Sequence, residues 1–476
     1  MNMNTFIKNF CKDLKENNAA IFAGAGFSSG AGFVNWKELL RGVAEDLSLD
    51  IDKEEHDLVG IAQYCCNADG NRGRINQIIT DEFQRKATIT ENHRILARLP
   101  ISTYWTTNYD TLIETALKDN DKNPDVKIEP ANLAITMNDR DAVVYKMHGD
   151  VSQVHKAIIT RDDYEKYEYT HSLFTTALKG DLVSKTFLFI GFSFNDPNLN
   201  YILSRIRIGL DQNQRPHYCF LRSIKRTDYQ QIEGFSHATA KQELQINDLK
   251  RFSIKTLLVD EYSEITNILR KIEIAYKKNS IFISGSAIEY GDFSEDEAKD
   301  LLHGLSFEMV KQDYKVISGF GLGVGSYIIN GALDYMHSEG KSRIESNLLM
   351  RPFPQKASGN KSLSELWEYY RNDMISESGI AIFLFGNKSD GDEVINADGL
   401  MREFEIAFAN GVKIIPIGST GYQTRVIWDE VINNFDKYYP EEGELKPLFE
   451  QLGKLTDKNS IIQTVITIIN KIGRGN

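Results

Sequence analysis

Short apolar runs of strand length recur along this chain, and segments with helical spacing separate them. The segments WKELLRGVAEDL and NHRILARL, for example, repeat apolar residues every three or four positions. Strands that alternate with helices predict an α/β fold with a parallel, doubly wound sheet. In such sheets, ligands bind beyond the carboxyl ends of the strands, near the switch in strand order. The first six runs cover residues 19–23, 103–107, 142–147, 186–190, 218–221 and 254–259.

The same pattern restarts near residue 280, after a helical segment, EITNILRKIEIAYKKN, that ends in lysines. From there, strand-length runs again alternate with helical patterns, at residues 281–286, 315–318, 381–385 and 413–417. A chain of 476 residues is also too long for one ordinary hydrophobic core. We therefore predict two Rossmann-like, doubly wound domains in tandem, residues 1–279 and residues 280–476.

Charge, hydropathy and cysteine content exclude several classes of protein. A net charge of −12 argues against a nucleic-acid binder, which usually has a basic face. No apolar run reaches the ~18 residues of a membrane span, and the amphipathic N-terminal segment does not resemble a signal peptide. None of the four cysteines forms a Cys-x-x-Cys pair, so no structural zinc site of that type is expected. The sequence predicts a cytoplasmic protein without metal, nucleic-acid or membrane ligands.

A glycine-rich segment follows the first predicted strand. Ala23, Gly24, Ala25 and Gly26 precede Ser28, and glycine allows a backbone to approach a phosphate closely at a helix N-terminus. The spacing is GxGxxxG, whereas dinucleotide-binding dehydrogenases have GxGxxG followed by an acidic residue about 20 positions later. A hydride-transferring dehydrogenase is therefore disfavoured. Nucleotide binding and a tight strand-to-helix turn both remain open from this segment alone.

Three further strand ends carry polar side chains beside glycine or aromatic residues. Asn108 and Asp110 follow the second strand, and either could simply cap a helix. His148 follows the third strand and could be an ordinary packed histidine, although a glycine comes next. Gly191 and Ser193 follow the fourth and could supply amides and a hydroxyl to a ribose or phosphate. Taken together, these strand ends predict one ligand site at one edge of the sheet.

In order and spacing, these strand ends resemble the signature motifs of the sirtuins, over roughly residues 10–270. The zinc-binding cysteine pairs of sirtuin deacylases are absent. Two segments, ITRDDY at residues 159–164 and GFSFNDPN at residues 191–198, look instead similar to the bacterial sirtuin-like domains of anti-phage systems. That resemblance implies an NAD glycohydrolase. The matching residues are Gly24-Ala25-Gly26 with Ser28, Thr107-Asn108-Tyr109-Asp110, His148-Gly149 and Gly191-Phe192-Ser193.

The resemblance implies a role for each of these residues. His148 and Asn108 are expected to be catalytic: the imidazole as a proton acceptor, and the amide as a ligand of a ribose hydroxyl or of the attacking water. Asp110 is expected to orient this group or the nicotinamide amide. The expected NAD contacts are Ala23, Gly24, Ala25, Gly26, Ser28, Asp110, Gly191 and Ser193.

The second predicted domain has glycine at every second position from 319 to 325, directly after a strand. Close approach of a phosphate to a helix N-terminus explains that spacing better than a flexible linker does. The order of elements resembles the SLOG family of nucleotide sensors. Related hydrolases carry a PGGxGT loop near a glutamate; here Ala397-Asp398-Gly399-Leu400-Met401 precedes Glu403, so binding without hydrolysis is expected. The expected contacts are Gly285, Ser286, Gly321, Leu322, Gly323, Arg371, Lys388 and Glu403.

Arg371 and Lys388 are expected to contact phosphates, and Glu403 to accept hydrogen bonds from ribose hydroxyls. A sirtuin-like domain followed by a SLOG domain resembles the effectors of the Thoeris anti-phage system. That resemblance implies activation by a cyclic ADP-ribose isomer, which a partner enzyme with a TIR domain makes, and assembly into tetramers or filaments. Two alternative functions remain open: an NAD-dependent protein deacylase, and a catalytically idle nucleotide-binding sensor or scaffold.

Overall fold

The computed structural model of the chain describes residues 2–54, 57–194, 196–340, 344, 347–357 and 359–474. It divides into two compact units, Met1–Glu273 and Ile274–Asn476. Each unit contains its own parallel sheet covered by helices. The predicted α/β class, with two Rossmann-like domains in tandem, is confirmed. The assignment of separate functions to residues 1–279 and 280–476 stays a prediction.

The first unit is built on a parallel sheet in the order β3-β4-β2-β1-β5-β6-β7. All six predicted strands are present within one or two residues, and β3 is an additional strand that the sequence pattern did not reveal. The strands are β1 (Ala19–Ala23), β2 (Thr103–Thr106), β3 (Pro124–Lys127), β4 (Ala142–Lys146), β5 (Thr186–Ile190), β6 (His217–Arg222) and β7 (Ile254–Val259).

Helices cover both faces of this sheet, which explains why β1 and β5 are apolar and buried along their whole length. The described helices are α1 (Met3–Lys15), α2 (Ala25–Ser28), α3 (Trp36–Asp46), α4 (Leu58–Asp69), α5 (Gly73–Phe83), α6 (Glu91–Arg98), α7 (Leu112–Lys118), α8 (Pro130–Leu133), α9 (Arg161–Thr170), α10 (Ser172–Ser184), α11 (Pro197–Leu210), α12 (Ile232–Lys250) and α13 (Glu264–Lys277).

The register of the sheet brings four strand ends to the same edge. Ala23 of β1 pairs with Thr106 of β2 on one side and with Ile190 of β5 on the other. Thr106 in turn pairs with Lys146 of β4. The chain lays β2, β3 and β4 on one side of β1 and then crosses to β5 on the other, so the switch in strand order lies between β1 and β5. Ligands of doubly wound sheets bind at such a switch.

The second unit has a parallel sheet in the order β10-β9-β8-β11-β14, and a two-stranded antiparallel hairpin of β12 and β13. Its switch in strand order lies between β8 and β11, whose ends pair at Ser286 and Phe385. The strands are β8 (Ser280–Ser286), β9 (Lys315–Ser318), β10 (Leu348–Met350), β11 (Ile380–Phe385), β12 (Asn387–Asp390), β13 (Glu393–Asn396) and β14 (Lys413–Pro416).

Helices also enclose this second sheet, and the buried apolar core continues from β8 to the last helix. Among the described residues, no helix has the length and apolarity that crossing a bilayer requires. The helices are α14 (Glu295–Lys311), α15 (Gly325–Ser338), α16 (Leu363–Ser376), α17 (Asp398–Ala409), α18 (Tyr422–Asn433), α19 (Phe435–Tyr438), α20 (Lys446–Leu452) and α21 (Lys458–Arg474).

Candidate functional site

The segments that follow β1 and β5 interlock at the switch in strand order. The Gly24 amide donates to the Ile190 carbonyl (3.0 Å), and the Gly26 amide donates to the Gly191 carbonyl (2.9 Å). A Cβ atom at Gly24 would lie 2.6 Å from the Gly191 oxygen, and one at Gly191 would lie 2.0 Å from the Phe27 nitrogen. These glycines are therefore required by contact between two backbone segments, in addition to any contact with a ligand.

We expect Gly191→Ala to lower the stability of the first unit by about 2–4 kcal/mol, since Gly191 has a φ of +62° and no space for a Cβ. The measurement is the thermal unfolding midpoint by circular dichroism, which should fall by about 5 °C or more. Gly180→Ala is the matched control because Gly180 lies in helix α10 with open space around it. Equal midpoints for the two variants would contradict the interlock.

A buried polar cluster lies between β1 and β2. The Asn108 side-chain nitrogen donates to the Gly24 carbonyl (3.1 Å) and to Ser28 Oγ (3.0 Å), and Ser28 Oγ donates to Asp110 Oδ2 (2.7 Å). The Asp110 carboxylate also accepts from the Leu112 amide (3.0 Å). A carbonyl can only accept, so the Gly24 contact sets the orientation of the Asn108 amide. Its Oδ1 is thereby turned away from Gly24 and left as an acceptor.

His148 follows β4 at the position that corresponds to Asn108 after β2. Each residue lies two positions beyond the paired residues Thr106 and Lys146, so both are at the same sheet edge. The imidazole is 2% exposed and packs against the rings of Trp36 (6.0 Å between centroids) and Tyr164 (5.6 Å). Among the described residues, its Nδ1 has no hydrogen-bond partners. A buried imidazole without such partners is suited to receive a ligand atom.

One carboxylate reaches the His148 ring from the segment after β5. Asp196 Oδ2 lies 3.1 Å from His148 Nε2, within the distance of an ion pair. The same oxygen accepts from the Tyr164 hydroxyl (3.1 Å), while Oδ1 caps helix α11 by accepting from the Leu199 amide (2.9 Å). Burial opposes ionisation, but the nearby His148, the Leu199 amide and the Tyr164 hydroxyl together hold the pKa of Asp196 below its usual range.

A fully buried lysine lies below this edge. Lys146 Nζ donates to the carbonyls of Tyr109 (3.2 Å) and Asp110, and it forms ion pairs with Asp150 and with Glu114 (3.2 Å). Burial alone would lower its pKa, but the surrounding carboxylates raise it, so the side chain is an ammonium ion. Lys146 thus links the segment after β2, which contains Asn108, to the segment after β4, which contains His148.

The remaining NAD-site predictions lie at the same edge. Ala23 ends β1, Ala25 begins helix α2, and Ser193 is exposed in the segment after β5. Asp196, Tyr164 and Lys146 were not predicted as part of the site. The Asn-Asp-Pro sequence at 195–197, in which Asn195 lies outside the described residues, signals the helix cap but not the contact with His148.

In the second unit, the segments after β8 and β9 interlock in a similar way. A Cβ atom at Gly321 would lie 1.9 Å from the Gly285 oxygen, and one at Gly323 would lie 2.0 Å from the Ala287 oxygen. The Leu322 carbonyl accepts from the Ala287 amide (2.8 Å). The Leu322 side chain is 68% exposed. The predicted glycines are thus again needed for backbone packing.

The charged residues predicted for this second site divide into two groups. Glu403 is buried, accepts from Ser284 Oγ (2.5 Å) and lies 3.5 Å from Arg371 Nε, and burial raises its pKa. Arg371 Nε has no hydrogen-bond partner among the described residues. Lys388, by contrast, is largely exposed and pairs with Asp398. The structure therefore joins Arg371 to Glu403.

The hairpin of β12 and β13 is attached beside these residues. Ser286 Oγ donates to the Asn387 main-chain oxygen (2.9 Å), and the Asn387 side chain accepts from the Ile288 amide (2.7 Å). Polar groups thus join the carboxyl end of β8 to the segment after β11, and the contact of Ser286 with a signal nucleotide stays a prediction. In the described part of the chain, no group of three or more histidine, cysteine, aspartate or glutamate side chains could hold a metal ion.

Two family models match the chain. Residues 102–244 match the SIR2-like domain, and residues 264–472 match the Sir2- and TIR-associating SLOG family. The first match contains the β2, β4 and β5 ends of the first site. The second contains all of the residues predicted for the signal nucleotide.

Several curated proteins are similar to the chain over most of its length. The NAD(+) hydrolase ThsA of Cytobacillus dafuensis is 50% identical, over 98% of this chain and 96% of that protein. The NAD(+) hydrolase ThsA of Bacillus cereus (strain MSX-D12) is 49% identical, over 98% and 96% respectively. Defense-associated sirtuin 2 of Bacillus subtilis is 28% identical over 48% of this chain and 22% of that protein.

Proposed function

The chain belongs to the ThsA family of NAD(+) hydrolases, and from that premise we propose that NAD+ is cleaved at the edge formed by the β1, β2, β4 and β5 ends. The observation that carries the assignment is the buried His148 ring, whose Nδ1 has no hydrogen-bond partner among the described residues and which lies in register with Asn108 at the switch in strand order. NAD contacts are then supplied by the interlocked segments around Gly24 and Gly191.

The reaction adds water to the anomeric carbon of the nicotinamide ribose and releases nicotinamide. The electron pair of the broken bond returns to the pyridinium ring, so the leaving group is neutral and needs no protonation. The oxygen of water bonds to the ribose carbon, and its proton passes to a base. We assign that base to His148 and the orientation of the water, or of a ribose hydroxyl, to Asn108 Oδ1.

Asn108 is suited to this task because its amide is already fixed. The Gly24 carbonyl and Ser28 Oγ hold its nitrogen, so the oxygen is presented without rotation of the side chain. The Asp110 carboxylate accepts a hydrogen bond from the Ser28 hydroxyl, which in turn accepts from the Asn108 amide nitrogen. Asp110 thus fixes the orientation of Asn108 through Ser28. We assign Asp110 a positioning role through Ser28, in keeping with the predicted orienting function.

We further propose that a cyclic ADP-ribose isomer, made by a partner enzyme with a TIR domain, activates the hydrolase by binding at the second site. The match to a Sir2- and TIR-associating SLOG family supports this proposal, as does the pair of Arg371 and Glu403 at the β8–β11 switch. The guanidinium would bind phosphate, and Glu403 would remain the acceptor for ribose hydroxyls. Tenfold activation requires that the signal bind the active state only ~1.4 kcal/mol more tightly.

Nicotinamide release from NAD+ by the purified protein tests both parts of the proposal. Release should appear with micromolar cyclic ADP-ribose isomers, one of which should be active, and without any peptide. Release that depends on an acylated peptide would favour the deacylase instead. If neither isomer nor peptide elicits release, the chain is a nucleotide-binding scaffold. Light scattering in the same samples tests the proposed assembly into tetramers or filaments.

We expect Arg371→Ala to raise the isomer concentration for half-maximal activation by about 10- to 100-fold, since a hydrogen bond to a charged group contributes about 1.5–3 kcal/mol. The maximal rate at saturation should stay unchanged. Arg402→Ala is the matched control because Arg402 is half-exposed and pairs with Glu368 and Glu405 on the surface. An unchanged activation curve for Arg371→Ala would exclude this cation from the sensor site.

A further inference from the structure

The Asp196 carboxylate contacts the candidate base His148 and groups on two helices, α9 and α11. Its carboxylate lies 3.1 Å from His148 Nε2, and it is held from two other directions by the Tyr164 hydroxyl and the Leu199 amide. Both Asp196 and His148 are more than nine-tenths buried. A buried carboxylate next to an imidazole favours a proton on the nitrogen that faces it.

The main chain around His148 is fixed independently of that contact. The His148 carbonyl accepts from the Ile158 amide (2.8 Å), and the Met147 carbonyl accepts from the Tyr167 hydroxyl (3.1 Å). The rings of Trp36 and Tyr164 also pack against the imidazole. The ring position is thus set by packing, while its two nitrogens are distinguished by the Asp196 carboxylate, which lies 3.1 Å from Nε2.

We propose that Asp196 is a positioning residue that keeps a proton on His148 Nε2 and so leaves Nδ1 as the proton acceptor in NAD+ hydrolysis. The inference rests on the proposed role of His148. In the reaction, Nδ1 takes the proton of the attacking water, and the resulting imidazolium is stabilised by the Asp196 carboxylate. The depressed pKa of Asp196 agrees with this arrangement, because the carboxylate stays ionised to act as the partner.

Asp196→Asn is the decisive substitution because asparagine caps a helix as well as aspartate does and removes only the charge. Nicotinamide release by the full chain, with the activating isomer, should show kcat lower by about 10- to 100-fold and a KM for NAD+ within threefold of wild type. The thermal unfolding midpoint should stay within about 2 °C. Asp162→Asn, an exposed carboxylate on helix α9, should leave kcat unchanged.

A second pair of variants tests the support of Asp196. Tyr164→Phe removes the hydroxyl that donates to Asp196 Oδ2 and should lower kcat by about threefold to tenfold. Tyr169→Phe is its matched control, because Tyr169 lies on the same helix and is 89% exposed. A kcat within twofold of wild type for both Asp196→Asn and Tyr164→Phe would overturn the proposal. So would a fall in kcat that is matched by unfolding at the assay temperature.

A spectroscopic measurement separates this inference from the proposed function. In protein with 13C-labelled histidine rings, the His148 resonance is identified by its absence in His148→Ala, and its carbon shifts report which nitrogen carries the proton. We expect the Nε2-protonated form in wild type and a mixture of tautomers in Asp196→Asn. Identical shifts in the two proteins would overturn the inference. The result does not depend on turnover, so it decides the role of Asp196 even if NAD+ hydrolysis is located elsewhere.

Discussion

We expect His148→Ala to lower the rate of nicotinamide release by about 1,000-fold, within the range that a general base contributes. Asn108→Ala should be similarly impaired, since it removes the oriented oxygen and the donor to the Gly24 carbonyl. The effect should fall on kcat, because neither side chain is assigned to bind the phosphates. Single-turnover nicotinamide release at saturating NAD+ and isomer is the measurement.

Two comparisons make that result specific. His155→Ala, at an exposed position seven residues further along the chain, should retain the wild-type rate. Binding of a cyclic ADP-ribose isomer to the His148→Ala protein, measured by calorimetry, should also be unchanged. If His148→Ala retained a tenth of the wild-type rate or more, the chemistry would have to be assigned to other residues at this edge.

The second large effect concerns stability. Lys146→Met should destabilise the first unit by about 3–5 kcal/mol, because it leaves Glu114 and Asp150 buried without their cation. Lys156→Met, which breaks an exposed pair with Glu129, should cost at most about 1 kcal/mol. Chemical denaturation followed by circular dichroism measures both. A smaller loss for Lys146→Met than for Lys156→Met would contradict the buried-cation assignment.

The stability lost in Lys146→Met should also depend on pH. In wild type, Lys146 helps to depress the pKa of Asp150 despite its burial, so this contribution to stability is present above the unfolded pKa of aspartate and is lost as the pH falls. Burial already raises the pKa of Glu114 in wild type, although Lys146 opposes this shift. Without Lys146, the pKa of both Glu114 and Asp150 becomes higher than in wild type, so ionisation of these buried carboxyls destabilises the variant as the pH rises. The difference between wild type and Lys146→Met should therefore grow from pH 5.0 to pH 7.5. Adding Glu114→Gln should recover part of it at pH 7.5.

Much of the fold could be predicted because its central strands β1 and β5 are almost entirely apolar. A strand such as AAIFA or TFLFI, buried on both faces, leaves no alternative to a covered parallel sheet. The edge strands were harder to detect. β3 begins with proline and contains Asp125 and Lys127, so its sequence is typical of a surface segment. In the structure, these two charged side chains form a buried ion pair. β10 has only three residues.

The site could be predicted at the level of strand ends but not of contacts. The registers of β1, β2, β4 and β5 follow from the parallel sheet, so Asn108 and His148 at one edge were foreseeable. The contact of Asp196 with His148 depends on how the segment after β5 folds back over β4, which no local pattern encodes. Likewise, the burial of Glu403 beside Ser284 depends on packing of helix α17 against β8.

The interlocked segments around Gly24 and Gly191 have a consequence for protein engineering. Loops of α/β proteins are often treated as exchangeable parts that can be grafted one at a time to alter ligand preference. Here, a graft after β1 that placed a side chain at position 24 would collide with the backbone after β5, and one at position 26 would crowd it. The reverse graft, with a side chain at position 191, would collide with the Phe27 backbone. The two segments must therefore be transplanted together, as one inseparable module, in any chimera with a related hydrolase.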